Sequence, residues 1–149
     1  QSFISGVGNI YADESLWRSR LHPLRSADSL NTDQERRLYE AIRGVMGEAI
    51  ERRGSSIDEY TAPQGDGEMQ EHLDVYQRTG RPCQRCGRPV RRYEHTARGT
   101  HFCSRCQRLP AADRTTSNLA LVRTSRRSAR RGRSWSELGG PEATNERAH

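Results

Sequence analysis

The sequence contains no lysine: all 25 of its basic residues are arginines. The commonest side-chain amine nucleophile is therefore missing, and with it any imine chemistry run by a lysine. The remaining amine is the α-amine of Gln1. Apolar residues are scarce, at 32% of 149, and the mean hydropathy is −1.02. Such a composition leaves a modest core and predicts some segments too polar to fold. No apolar run approaches the length that crosses a membrane, and no signal-peptide pattern opens the chain. Neither a βαβ pattern nor an internal repeat is visible. The chain opens at Gln1 rather than methionine, on an apolar, structured-looking stretch, which reads as a fragment or processed piece.

Cysteine is limited to four residues, and their spacing is informative. Cys83-Gln84-Arg85-Cys86 and Cys103-Ser104-Arg105-Cys106 are two C-x-x-C pairs separated by sixteen residues. Two residues between cysteines let a tight knuckle aim both sulfurs at one ion, and two knuckles complete a tetrahedral thiolate site. The sequence therefore predicts one structural zinc held by Cys83, Cys86, Cys103 and Cys106, with a short β-hairpin between the knuckles. Disulfides or a redox pair are the alternatives, but neither a secretory signal nor a thioredoxin-like pattern supports them. His95 and His101 lie on this ribbon, but four thiolates already fill the site, so both are expected at the surface or facing phosphate.

The formal net charge is +6 and the isoelectric point is near 9.7. Arginine presents a planar fork suited to phosphate, so the charge favours nucleic acid as partner; a solvated basic surface without a partner is the plainer alternative. Arg88, Arg91, Arg92 and Arg98 cluster between the knuckles beside Tyr93, and Gly99 allows a turn directly after Arg98.

Two helices are expected ahead of the cysteines. Gly6 and Gly8 permit a tight turn, Asn9 suits an N-cap, and a helix over about 10–20 follows. Its amide-rich start is a possible phosphate seat, and Asp13 and Glu14 in its first turns suit the helix dipole. His22-Pro23 ends it. Thr32-Asp33-Gln34-Glu35 reads as a capping box with Thr32 as N-cap. Leu38, Ile42, Val45, Met46, Ala49 and Ile50 then repeat at helical spacing, predicting a core-facing helix over about 33–53 with Gly54 beyond its end. Gly44 and Gly47 weaken that helix or let it pack closely on the first. Residues 55–72 form a polar connection centred on 61–67. Beyond Leu109 the pattern dissolves into an arginine-rich run from Arg123 to Arg133, expected as a disordered tail with nonspecific nucleic-acid affinity; Trp135 and Leu138 are isolated there.

Two of these segments together resemble one family. Gly6-Val7-Gly8-Asn9-Ile10-Tyr11-Ala12-Asp13-Glu14, followed by Leu21-His22-Pro23, resembles the helix–two-turns–helix element of formamidopyrimidine-DNA glycosylases. Arg98-Gly99-Thr100-His101-Phe102-Cys103, continuing to Arg108, resembles the end of that family's zinc finger, and Gly80-Arg81-Pro82-Cys83 fits the approach to its first knuckle. The resemblance spans about residues 1–108. It implies a mainly α fold with a small β zinc ribbon: a helix–two-turns–helix domain over 1–72 and a zinc finger over 73–108, followed by the disordered tail over 109–149 that composition predicts. It implies binding of double-stranded DNA carrying an oxidised purine or an abasic site, by a monomer without a membrane, in the bacterial cytoplasm on the nucleoid. Gly8 and Asn9 would hold phosphate near a flipped-out nucleotide. Arg98 would hold flanking phosphates and take part in δ-elimination. The 61–67 loop would lie over the extruded base.

The family's nucleophile is an N-terminal proline amine followed by a glutamate, and neither is in this chain. The expectation is a DNA-binding half that does not excise bases by itself. A zinc-ribbon interaction module without a glycosylase partner domain, an enzyme whose missing half lies upstream of Gln1, and an endonuclease VIII-like fragment are the competing readings. The arginine-rich extension past Arg108 departs from the family pattern.

Overall fold

A computed structural model of the chain describes residues 7–54, 68–95 and 97–131, with backbone alone for the last five. Gln1, Gly6, the 61–67 loop, and Trp135 and Leu138 lie outside the described residues. The elements run α1 (Asn9–Ser19), α2 (Thr32–Glu51), β1 (Arg91–His95), β2 (Arg98–Phe102) and α3 (Thr116–Arg131). Single 3₁₀ turns at Ala27–Ser29, Met69–His72 and Ala111–Asp113 link them.

Both early helices start one residue away from the expected position. Gly8, in extended backbone, is the N-cap of α1, so Asn9 is its first helical residue and its side chain makes no cap. The helix ends at Ser19, ahead of His22-Pro23. Arg20 adopts a left-handed φ of 61° there, and Leu21 N–H reaches the carbonyl of Leu16 at 2.9 Å. In α2 the capping box belongs to Asn31 and Gln34, not to Thr32 and Glu35. Asn31 Oδ1 accepts from Gln34 N–H at 3.0 Å, and Gln34 Oε1 accepts from Asn31 N–H at 3.1 Å. A side-chain amide at N-cap serves as well as a hydroxyl, and Asn31 carries one.

The buried stripe of α2 is Ala41, Val45 and Ala49; Ile50, expected in the core, is 76% exposed. Ile50 follows Ala49 by one residue, about 100° around the helix, which carries it off the packed face. Val45 and Ala49 close with Met69 and Leu73 into one apolar core, against which Ile10, Tyr11 and Tyr76 pack. Arg18 fastens α1 to α2 through a two-pronged ion pair with Glu48, both contacts at 2.7 Å. Close helix packing does not explain the glycines. A Cβ on Gly44 would meet only the Arg18 guanidinium at 3.8 Å, and one on Gly47 would meet nothing within 4 Å.

β1 and β2 pair antiparallel with His95 opposite Arg98 and Arg91 opposite Phe102. The turn sits before Arg98, with Ala97 at a left-handed φ of 61°, so Gly99 is not the turn residue. Gly99 instead leaves room for the Arg92 guanidinium, which lies where a Cβ would be and would have to swing aside for one.

The expectation of a disordered tail fails for Ala111–Arg131. That stretch forms a 3₁₀ turn and then α3, which packs on β1. Composition missed it because a sum over residues carries no trace of the packing of α3 on β1.

Candidate metal centre and nucleic-acid interface

The first knuckle is closed by Gly87, whose φ of 71° turns the chain so that its N–H reaches the Cys83 carbonyl at 2.8 Å. The second knuckle closes by Gln107 N–H on the Cys103 carbonyl at 2.9 Å. The Gln107 side chain, fully buried, accepts from Cys103 N–H at 2.8 Å and donates to the Leu21 carbonyl at 2.9 Å. One amide thus shapes the knuckle and pins it to the end of α1.

The four Sγ atoms lie within 4.8 Å of one another, with Cys86–Cys103 at 3.4 Å and Cys83–Cys106 at 3.9 Å. Zinc–sulfur bonds of about 2.3 Å require sulfur–sulfur edges of about 3.8 Å, so the donor set fits one tetrahedral zinc. Burial works against the Cys83 thiolate, but the amides of Arg85 and Cys86 and the Trp17 indole bring its pKa down to about 7. Burial pushes the Cys106 thiol up to about 12. Within the cluster, then, the Cys83 thiol gives up its proton more readily than that of Cys106. Among the described residues, the cysteines alone form a cluster able to hold a metal.

α1 anchors this ribbon by polar contacts that helix-dipole reasoning did not anticipate. Asp13 and Glu14 are buried, at 4% and 0% exposure. Glu14 accepts the backbone N–H groups of Asp74, Val75 and Tyr76 at 2.8–2.9 Å. Asp13 Oδ2 accepts the His101 N–H at 2.8 Å and meets its Nδ1 at 3.1 Å. Burial holds both carboxyls above the usual range, and these hydrogen bonds oppose it. His101 is consequently not a surface or phosphate-facing histidine, whereas His95 is exposed. Arg85 lies over the Trp17 ring, 3.7 Å from its centroid, and donates to the carbonyls of Trp17 and Arg18. A guanidinium thus satisfies the C-terminal carbonyls of α1. No sequence signal distinguishes Arg85 or Gln107 from their neighbours; each is identified only by what it reaches.

These anchors fix the relation between the two segments singled out for DNA. Asp13 meets His101, Leu21 meets Gln107, and Ser26 N–H reaches Asp113 Oδ1 at 3.3 Å. The pairs advance together, so α1 and the β2-to-second-knuckle stretch run parallel. Asn9 precedes Asp13 by one turn and Arg98 precedes His101 by three strand residues. Both therefore lie towards the same end of the molecule. Arg98 is exposed, and Asn9 is half-buried. Arg92, by contrast, contacts Glu94 at 3.3 Å, and Arg91 faces α3.

Residues 1–61 match the formamidopyrimidine-DNA glycosylase H2TH domain, and residues 80–109 match the zinc finger found in FPG and IleRS. The formamidopyrimidine-DNA glycosylase of Heliobacterium modesticaldum is 53% identical over 109 residues, which are 72% of this chain and 39% of the relative. That of Symbiobacterium thermophilum is 42% identical over 147 residues, 98% of this chain and 46% of the relative, so its similarity extends through α3 and beyond. The crystal structure of the MutM (Fpg) protein from Thermus thermophilus superposes with a TM-score of 0.68 at 51% identity, over 72% of this chain and 41% of that one. A complex of Lactococcus lactis Fpg with DNA containing an abasic site superposes with a TM-score of 0.68 at 39% identity, over 73% and 40%. The chain spans less than half the length of these relatives. Two family domains in this order, around a four-cysteine centre able to bind one zinc, place the chain in the formamidopyrimidine-DNA glycosylase family, as its C-terminal H2TH and zinc-finger half.

Proposed function

We propose that this chain is the DNA-holding half of a glycosylase and abasic-site lyase for oxidised purines, gripping duplex DNA on both sides of the lesion. The observation that carries the reading is the placement of Asn9 and Arg98 towards one end of α1 and the ribbon. On this reading Gly8 and the first amides of α1 seat one phosphate, helped by the Asn9 side chain, and Arg98 holds phosphates flanking the lesion. Extruding a base costs a few kcal/mol, and clamped phosphates offset part of that cost. The solved Lactococcus lactis relatives hold DNA with an abasic site or Fapy-dG, which supports the ligand class. The helix–two-turns–helix unit is taken as 1–72 and the zinc finger as 73–108. Cys83, Cys86, Cys103 and Cys106 hold one structural zinc, and the protein works as a monomer in the bacterial cytoplasm, on the nucleoid.

What these residues do chemically is electrostatic. Arg98 steadies the developing charge on a leaving phosphate during δ-elimination; it has no free electron pair with which to attack C1′. The attacking amine comes from no lysine of this chain, since there is none. The test is binding of the zinc-loaded chain to duplexes with an abasic-site analogue, titrated against salt. Arg98→Ala should weaken binding and lower the slope of log K against log salt by about one. Asn9→Ala should weaken binding with little change in slope, because the amide is uncharged. Unchanged affinity and slope for Arg98→Ala would overturn the assignment.

A further inference from the structure

A cleft of about 510 Å³ opens between the zinc ribbon and α3. Five guanidiniums line it, from different parts of the chain: Arg88 after the first knuckle, Arg91 on β1, Arg108 after the second knuckle, Arg114 ahead of α3, and Arg126 on α3. Leu119 and Val122, three apart on α3, supply an apolar wall.

Like charges gathered in a concavity repel unless something neutralises them. Among the described residues, no carboxylate pairs with Arg88, Arg91, Arg108 or Arg126. Asp113 accepts from Ser26 N–H and does not line the cleft. Burial, and then the charges of Arg126 and Arg88, make the Arg91 cation less favourable than an exposed one, and the Cys103 thiolate offsets this only in part. Neutral side chains at these positions would let α3 dock with less repulsion, so five arginines are a poor choice for structure alone. A planar guanidinium is a good choice for phosphate.

The cleft also lies away from the proposed grip. Its members His22, Ser104, Arg108 and Arg114 come from the far end of the parallel run in which Asp13 meets His101, Leu21 meets Gln107 and Ser26 meets Asp113. The eleven residues of α1 alone span about 16 Å, so no single phosphate reaches both Asn9 and the cleft.

We propose that this cleft is a second phosphate-binding site, which takes the backbone of a nucleic-acid strand independently of Asn9 and Arg98. A strand fits better than a free nucleotide because α3 runs on from Arg126 to Arg131, and its sequence adds Arg127, Arg130 and Arg131. In sequence, then, the run of arginines does not stop at the cleft. The inference goes beyond the proposed function and does not need that function to be right.

The experiment uses the zinc-loaded chain and an undamaged duplex, with affinity measured across salt concentrations. Replacing Arg91, Arg108 and Arg126 together by Gln should reduce affinity on the order of tenfold or more. The salt slope should fall by about two to three, at roughly 0.9 per lost contact. The matching triple Lys variant should recover most of both, and equal zinc content and circular dichroism should show the fold intact. If the triple Gln variant does not fold, the exposed Arg126→Gln alone should lower the slope by about one. In an Arg98→Ala background the cleft effect should keep its full size. An Arg98→Ala effect that is absent while the cleft effect persists would remove only the grip of the previous section. Three results would overturn the proposal: an unchanged slope in a folded cleft variant, a cleft effect that disappears with Arg98, or a fluorescent nucleoside triphosphate held at these arginines that the duplex fails to displace.

Discussion

α1 stands between two cores of different chemistry. On one side, Val45, Ala49, Met69 and Leu73 form an apolar core of ordinary kind. On the other, Trp17, Val75 and Val90 pack with Cys83 and Cys103, so two of the five members are thiols that also belong to the metal cluster. The first core is held by removal of apolar surface from water. The second has few such side chains and depends on a bond set that exists only with an ion. The same helix therefore links a part held by apolar burial with a part built around metal ligands.

Removing the metal should separate the two cores most sharply. Structural zinc contributes an apparent 10–16 kcal/mol or so to small zinc domains. Chelation, or Cys103→Ser, should therefore unfold the ribbon while leaving helical signal from α1 and α2. Trp17 packs beside Cys83, so its fluorescence and near-ultraviolet dichroism should change with zinc content. A metal-free chain with native hairpin contacts by NMR would erase the distinction between the cores.

The next largest effect should come from the polar clasp. Glu14→Ala leaves three N–H groups, of Asp74, Val75 and Tyr76, without their acceptor. Orphaned buried donors cost about 1–3 kcal/mol each, so the loss should be about 3 kcal/mol or more. It should appear as a lower urea midpoint with zinc bound, and as faster hydrogen exchange at those three amides. Glu14→Gln keeps one oxygen acceptor and should lose less. Equal stability for Ala and wild type would mean that the two cores do not need this link.

How far the two regions were legible in the sequence follows from the same difference. The cysteine spacing located the metal centre because ligand geometry is local: two residues per knuckle and a ribbon between. The α2 core was legible because a helix repeats every 3.6 residues. The clasp was not, because Asp13 and Glu14 at the start of a helix have a plausible local explanation in the helix dipole. Only tertiary structure shows that they serve His101 and Asp74–Tyr76, about 60 to 88 residues away. Gln107 and Arg85 were invisible for the same reason. α3 was misread because arginine-rich composition predicts disorder when summed, whereas the helix takes its place by packing on β1, a contact that composition does not carry.

The ribbon side should also respond to pH where the helical core does not. His22 is 3% exposed, and its Nδ1 accepts the Leu24 N–H at 3.1 Å, which requires a neutral ring. Burial, and then the nearby Arg91 charge, lower its pKa from 6.5 to about 4. Between those values the unfolded chain binds a proton that the folded chain refuses. The stabilisation is therefore complete above 6.5 and is lost as pH falls towards 4, by up to about 3 kcal/mol. Acid also competes with zinc for thiolates, so the readout is a difference: His22→Asn should flatten the fall in urea midpoint over this window. An identical pH profile in the variant would assign the whole acid response to the metal site.

The smallest effect should fall on the helical side and decide which residue starts α2. Sequence spacing gives that place to Thr32, but Asn31 and Gln34 make the reciprocal hydrogen bonds. Asn31→Ala removes one acceptor from the first turn and should cost about 1 kcal/mol. For a unit of this size that lowers a thermal midpoint by about 4–8 °C. Thr32→Ala changes only the first helical residue, exposed and outside the box, and should stay within a few tenths of a kcal/mol. Neither change touches the metal cluster, so zinc content and Trp17 fluorescence should be the same in both variants. A loss at Thr32 with none at Asn31 would move the helix start by one residue and return the box to Thr32 and Glu35.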